Sequence, residues 1–175
     1  MSKQQTIPLK KVQNDLIEII QLLKQLYTRV PYCIELQQSQ KTIQNLILES
    51  AQHLMHLQQL ITEKFPNFNI GYDHISELSD DFNLDLQKPN HAVEQDIAIK
   101  TFNLQQMDNS ISHTTILLDR TAINCKFCPD LGVRPYVLQI AKAMCELFEI
   151  QHSYIYPLRA DLMPEYLRKK HKDPN

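Results

Sequence analysis

Residues 124–132 read NCKFCPDLG and set Cys125 and Cys128 at the Cys-x-x-Cys spacing shared by zinc knuckles and dithiol redox pairs. A structural zinc site takes four ligands, usually as two such knuckles. The chain has no second Cys-x-x-Cys and no His-x-x-x-His to complete the shell. Cys145 falls roughly 15 Å further along the next helix at 1.5 Å per residue, too far to close it. A redox pair would open a helix after a strand, whereas this one follows a helical stretch and runs into Pro129. The reading is therefore two reduced thiols packed in a helix–turn–helix corner.

A second set is Glu49, His53 and His56, whose spacings of four and three gather them on one side of a helix. Helical bundles build carboxylate–histidine metal centres from such residues on facing helices, so these three are the candidate ligands of a metal-dependent helical enzyme. Phase weighs against convergence. At about 100° per residue, His113 lies roughly 150° from the centre of its helix's apolar stripe, and Glu149 and Glu18 are similarly displaced. All three are expected to face water. Closure would need His74 or Asp73 from a loop, and without such a partner the cluster reads as a solvated helix face.

The third set is a C-terminal group of aromatics and arginines, Tyr154, Tyr156, Arg159, Tyr166 and Arg168. Tyr and Arg are enriched in binding hot spots, and this group is the candidate binding surface. The run RKKHK at 168–172 reads as a solvated end rather than a phosphate contact.

The elements that must position these groups follow from apolar periodicity. Leu9, Val12, Leu16, Ile19, Ile20, Leu23, Leu26, Tyr27 and Val30 recur every three or four residues, which makes one face of a first helix. Pro8 suits its first turn and Pro31 its end. Ile43, Leu46, Ile47, Leu54, Leu57 and Ile61 mark a second helix, with a break expected at Gln37 to Gln40 and an end before Pro66. Residues 66–90, with Pro66, Asn67, Gly71, Asp80, Asp81 and Pro89, read as a long connecting loop. Asn90 is the expected N-cap of a third helix carrying Val93, Ile97, Leu104, Met107, Ile111, Leu118 and Ala122, with a kink expected at Asp108–Ser110. Pro129 and Gly132 end it. Pro135 opens a fourth helix with Val137, Ile140, Ala141, Met144, Leu147 and Phe148 turned inward. A short helix from Pro164 and a cationic tail occupy 157–175.

Amphipathic stripes must bury one another, and the expected fold is all-α: an antiparallel bundle of about four main helices in a single domain over 1–175. Two glycines, no tryptophan and abundant Gln, Leu and Ile agree. A chain of 175 residues can bury roughly 70% of its unfolded surface. Net charge −2 provides no cationic field for nucleic acid or anionic lipid, and its small size leaves homo-oligomerisation unopposed. No apolar run approaches the roughly 20 residues that span a bilayer, and the N-terminal MSKQQTIPLKK has no signal-peptide core, so a cytoplasmic protein with reduced cysteines is expected.

No Gly-x-Ser-x-Gly elbow, Walker loop or dinucleotide fingerprint is present, and no arginine is followed by histidine at the four-to-six-residue spacing of some helical ribonucleases. The functional expectation is a non-enzymatic interaction protein (an adaptor, regulator, immunity-type inhibitor or chaperone) that binds a protein partner and needs no cofactor. The metal-dependent enzyme on Glu49, His53 and His56 is the alternative.

Overall fold

The structure, a computed structural model, describes residues 3–66, 102–128, 130–131 and 134–170. Among them the secondary structure is helical throughout. Four long helices, α1 (Lys3–Arg29), α2 (Gln40–Lys64), α3 (Leu104–Lys126) and α4 (Arg134–Ile150), form the bundle, and a short α5 (Glu165–Lys170) follows. The expected loop at 66–90, apart from Pro66 itself, and the expected cap at Asn90 lie outside the described residues, as do Val93, Ile97, Pro129 and Gly132.

α1 buries Leu9, Val12, Leu16, Ile19, Ile20, Leu23 and Leu26, as its periodicity requires, but it begins at Lys3, ahead of Pro8. Its end and the start of α2 are joined by two 3-10 turns, Val30–Tyr32 and Ile34–Ser39. Val30, Cys33 and Leu36 anchor this connector in the core, leaving Tyr32 and Ile34 outside. Gln44 Nε2 donates to the Tyr27 carbonyl at 3.2 Å and fixes the angle between α1 and α2.

The third helix does not run on from Asn90 as expected: Phe102 and Asn103 are non-helical, and a capping box starts α3 at Leu104. Asn103 Oδ1 accepts from the Gln106 amide at 2.9 Å, and the Asn103 amide donates to Gln106 Oε1 at 3.1 Å. Two otherwise orphaned donors are satisfied reciprocally, an arrangement worth about 1 kcal/mol. The helix then runs unbroken through Asp108–Ser110, where the sequence led us to expect a kink, because Asp108 is buried with the stripe and held by the bundle instead of bending away. α4 departs from expectation on one flank: Ala141 and Phe148 are exposed, and the inward face is Tyr136, Gln139, Ile140, Ala143, Leu147 and Ile150.

Packing fixes the topology. α1 lies against α2 and α3, and α4 against α2 and α3, so α2 and α3 occupy one diagonal. Arg29 at the end of α1 stacks over the Phe102 ring at 5.9 Å, and Asp15 meets Arg120 and Asn124, so α1 and α3 are antiparallel. Asp108 near the start of α3 meets Gln151 just after α4, so those two are antiparallel as well. α2 and α3 therefore run parallel, and Phe65 and Phe102 lie at opposite ends of a bundle about 37 Å long. The described helices form a four-helix bundle in which α2 and α3 lie on a diagonal and run in the same direction.

The α2–α4 contact is the closest in chemistry. Ser50 Oγ donates to the Ala143 carbonyl at 3.1 Å, a contact that the small side chains at both positions allow. Ala143→Leu would wedge these helices apart, at a cost of about 1–3 kcal/mol.

Candidate functional site

The end of the bundle that holds the 30–39 connector carries the most organised polar chemistry. After Ile150 the α4 helix widens into a π-helical turn, Gln151–Ile155, closed by the Tyr156 amide donating to the Gln151 carbonyl at 2.9 Å. Inserting a residue in this way re-aims side chains, and such turns frequently mark functional sites. Here it turns Gln151 and Tyr156 inward, and both are buried. Gln151 Nε2 donates to Asp108 Oδ1 at 2.8 Å and to Ser112 Oγ at 3.1 Å, and the Tyr156 phenol lies beside the same carboxylate. Burial raises the Asp108 pKa above its ordinary value of 3.8, opposed in part by Gln151 and Tyr156. Burial, followed by the charge of Asp108, pushes the Tyr156 phenol up to about 12.

This lock anchors the chain that leaves it. His152 meets the Tyr156 ring edge-on at 5.3 Å. Leu162, Met163 and Leu167 turn back against the core, and Leu158 and Tyr166 point out. Arg159 grips Asp161 through Nε at 2.8 Å and Nη2 at 2.7 Å, which holds the Asp161 carboxyl below its usual range. Glu35, on the connector, lies within electrostatic range of Arg159. Ile34, Leu158 and Tyr166 are thus displayed at one end of the bundle, 75%, 55% and 71% exposed.

The candidate binding residues divide accordingly. Tyr156 is buried and structural, Tyr154 is half-buried against the core, and Arg159, Tyr166 and Arg168 are exposed. Ile34, Leu158, Asp108 and Gln151 were missed by sequence reasoning. Ile34 and Leu158 could have been found as large apolar residues beside Pro31 and Pro157, where helical periodicity breaks.

Glu49 and His56 are exposed and His53 is half-buried. Among the described residues, no three His, Cys, Asp or Glu side chains come close enough to hold a metal ion. His74 and Asp73 lie outside the described residues. His113, Glu149 and Glu18 face solvent as their phase requires.

A second polar cluster joins α1 to the last turns of α3. Asp15 is buried and accepts from Arg120 Nη2 at 2.5 Å and from Asn124 Nδ2 at 3.0 Å, and Arg120 also reaches Glu18 at 3.5 Å. Cys125 and Cys128 are fully buried, and the Cys128 amide donates to the Cys125 carbonyl at 3.0 Å in the turn ending α3. Burial, followed by the charges of Cys128 and Asp15, pushes the Cys125 thiol up to about 12. Burial and the neighbouring Glu35 do the same to Cys33. Thiols so raised stay protonated at neutral pH and are poor nucleophiles and ligands.

Comparison of the chain with family models, curated proteins and solved structures returns no match.

Proposed function

We propose that this chain is a non-enzymatic helical interaction protein, of the adaptor, regulator, inhibitor or chaperone kind, that docks a protein partner on the end of the bundle formed by the connector and the segment after α4. The observation that carries this reading is the pairing of a buried lock with an exposed apolar display. Asp108, Gln151 and Tyr156 hold the backbone, while Ile34, Leu158 and Tyr166 project from it into water. Side chains of this size contribute nothing to the protein's own core when exposed, and apolar patches rimmed by polar groups are characteristic of interaction sites.

Holding the patch on ordered backbone lowers the entropy lost when a partner binds. Arg168, the Arg159–Asp161 pair and Glu35 on the connector form a polar rim of mixed charge around these apolar side chains. Tyr166 and the two arginines are of the residue types enriched in binding hot spots.

The test is binding by Leu158→Asp and Tyr166→Ala variants and by a chain ending at Pro157. Each is expected to weaken capture of the same partner at least about tenfold, the loss of one hot-spot anchor. The helical signal of the bundle should be retained. Undiminished binding by all three would refute the reading.

A further inference from the structure

The outward face of α4 carries a pattern that its own bundle does not use. Leu138, Ala141, Cys145, Phe148 and His152 are all exposed and follow one another at alternating spacings of three and four. That is the a/d seam of a coiled coil, and it lies opposite the inward face of Tyr136, Gln139, Ile140, Ala143 and Leu147. Leu138 and Phe148 are each 40% exposed. One flank of the seam holds the half-buried apolar residues Val137 and Met144; the other holds the exposed charges Lys142 and Glu149. The outer face of α3 also shows apolar residues, Ile116, Ile123 and Phe127, but it is interrupted by Arg120, which is committed to Asp15.

We infer that the α4 seam pairs with the same seam of a second copy, antiparallel, about a two-fold axis crossing the helix near residues 146–147. The charges select both the occupant and the direction. Lys142 and Glu149 stand one heptad apart at equivalent positions on the same flank. In an antiparallel pair these positions face each other across the axis, so each Lys142 meets Glu149 of the second copy, twice per dimer. In a parallel pair they would face Val137 and Met144 and form no ion pair. The central layers then stack Phe148 against Cys145 of the other copy. Exposed ion pairs add little affinity but decide register and orientation, and the seam supplies the rest. This surface is separate from the bundle-end patch, and the inference does not depend on the proposed function.

The experiment is sedimentation equilibrium of the full chain over a wide concentration range, for the wild type, Lys142→Glu, Glu149→Lys and the double exchange. Both residues are exposed, so the variants keep the bundle, which circular dichroism verifies. A reversible dimer is expected, weakened roughly tenfold by either single reversal and restored by the double exchange. In parallel, a short bis-maleimide should join two native chains through Cys145, since Cys33, Cys125 and Cys128 are buried, and Cys145→Ser should abolish the product. A wild type that stays monomeric at every concentration, a dimer indifferent to the single reversals, or one that the double exchange fails to restore would overturn the inference.

Discussion

Gln151 Nε2 reaches across from the π turn after α4 to Asp108 Oδ1 near the start of α3, 2.8 Å away in the buried end of the bundle. With the Tyr156 phenol buried beside the same carboxylate, this contact ties the exposed C-terminal segment to the core. Asp108→Ala would leave the buried Gln151 amide without its carboxylate acceptor, at about 1–3 kcal/mol. Urea unfolding should show that loss, together with faster proteolysis after Tyr156.

The raised Asp108 pKa makes its contribution pH-dependent, and the sign follows from linkage. Below 3.8 the side chain is protonated both folded and unfolded, and the full benefit of its burial is present. As pH rises, the unfolded state ionises first, so the stability due to this group falls until the folded state has ionised too. Asp108→Asn has no such titration. Its stability relative to wild type should therefore improve from acid to neutral pH. A constant difference, or one moving the other way, would contradict the assignment.

Asp15 and Arg120 form an asymmetric pair: the carboxylate side chain is 9% exposed and the guanidinium 52%. Removing the arginine strands a buried charge, whereas neutralising the aspartate leaves a cation that water can solvate. Arg120→Ala should cost about 1–3 kcal/mol and Asp15→Asn clearly less. Paired denaturation curves check the order, and equal costs would show that Asp15 is better hydrated than its burial implies.

Thiol labelling reads the cysteine environments directly. Of the four cysteines only Cys145 is exposed, while Cys33 and Cys125 are buried with pKa values near 12. A native chain should react quickly at one thiol, mapped to Cys145, and at the rest only on unfolding. Rapid native labelling of Cys125 or Cys128 would mean that the corner after α3 opens readily.

The bundle was legible in the sequence because its core residues repeat at helical spacing. Leu16, Ile19, Leu23, Ile47, Leu54, Ile111 and Leu147 could be placed by phase alone, and all are buried. The polar interior was not legible. Asp15 lies between Val12 and Ile19 on the buried face, but a carboxylate there reads as a surface residue until Arg120 and Asn124 arrive from another helix. Asp108 was read as a kink for the same reason: its partners come from a π turn, and backbone hydrogen bonding that departs from the α pattern leaves no periodic trace. Phe148 was expected inside because it adjoins Leu147, yet about 100° of rotation separates neighbours on a helix and carries it to the outer seam. The parallel course of α2 and α3 depends on which helices pack, information that stripes of equal width do not contain.

The central claim, that a protein partner docks on the end of the bundle, is tested most directly by site-specific photo-crosslinking in the native cell. A photoreactive residue at Ile34, Leu158 or Tyr166 should capture one and the same protein, and the same residue at exposed Gln52, on α2 and away from that end, should capture none of it. Capture of that protein equally from Gln52, or of no common protein from the three patch positions, would contradict the account.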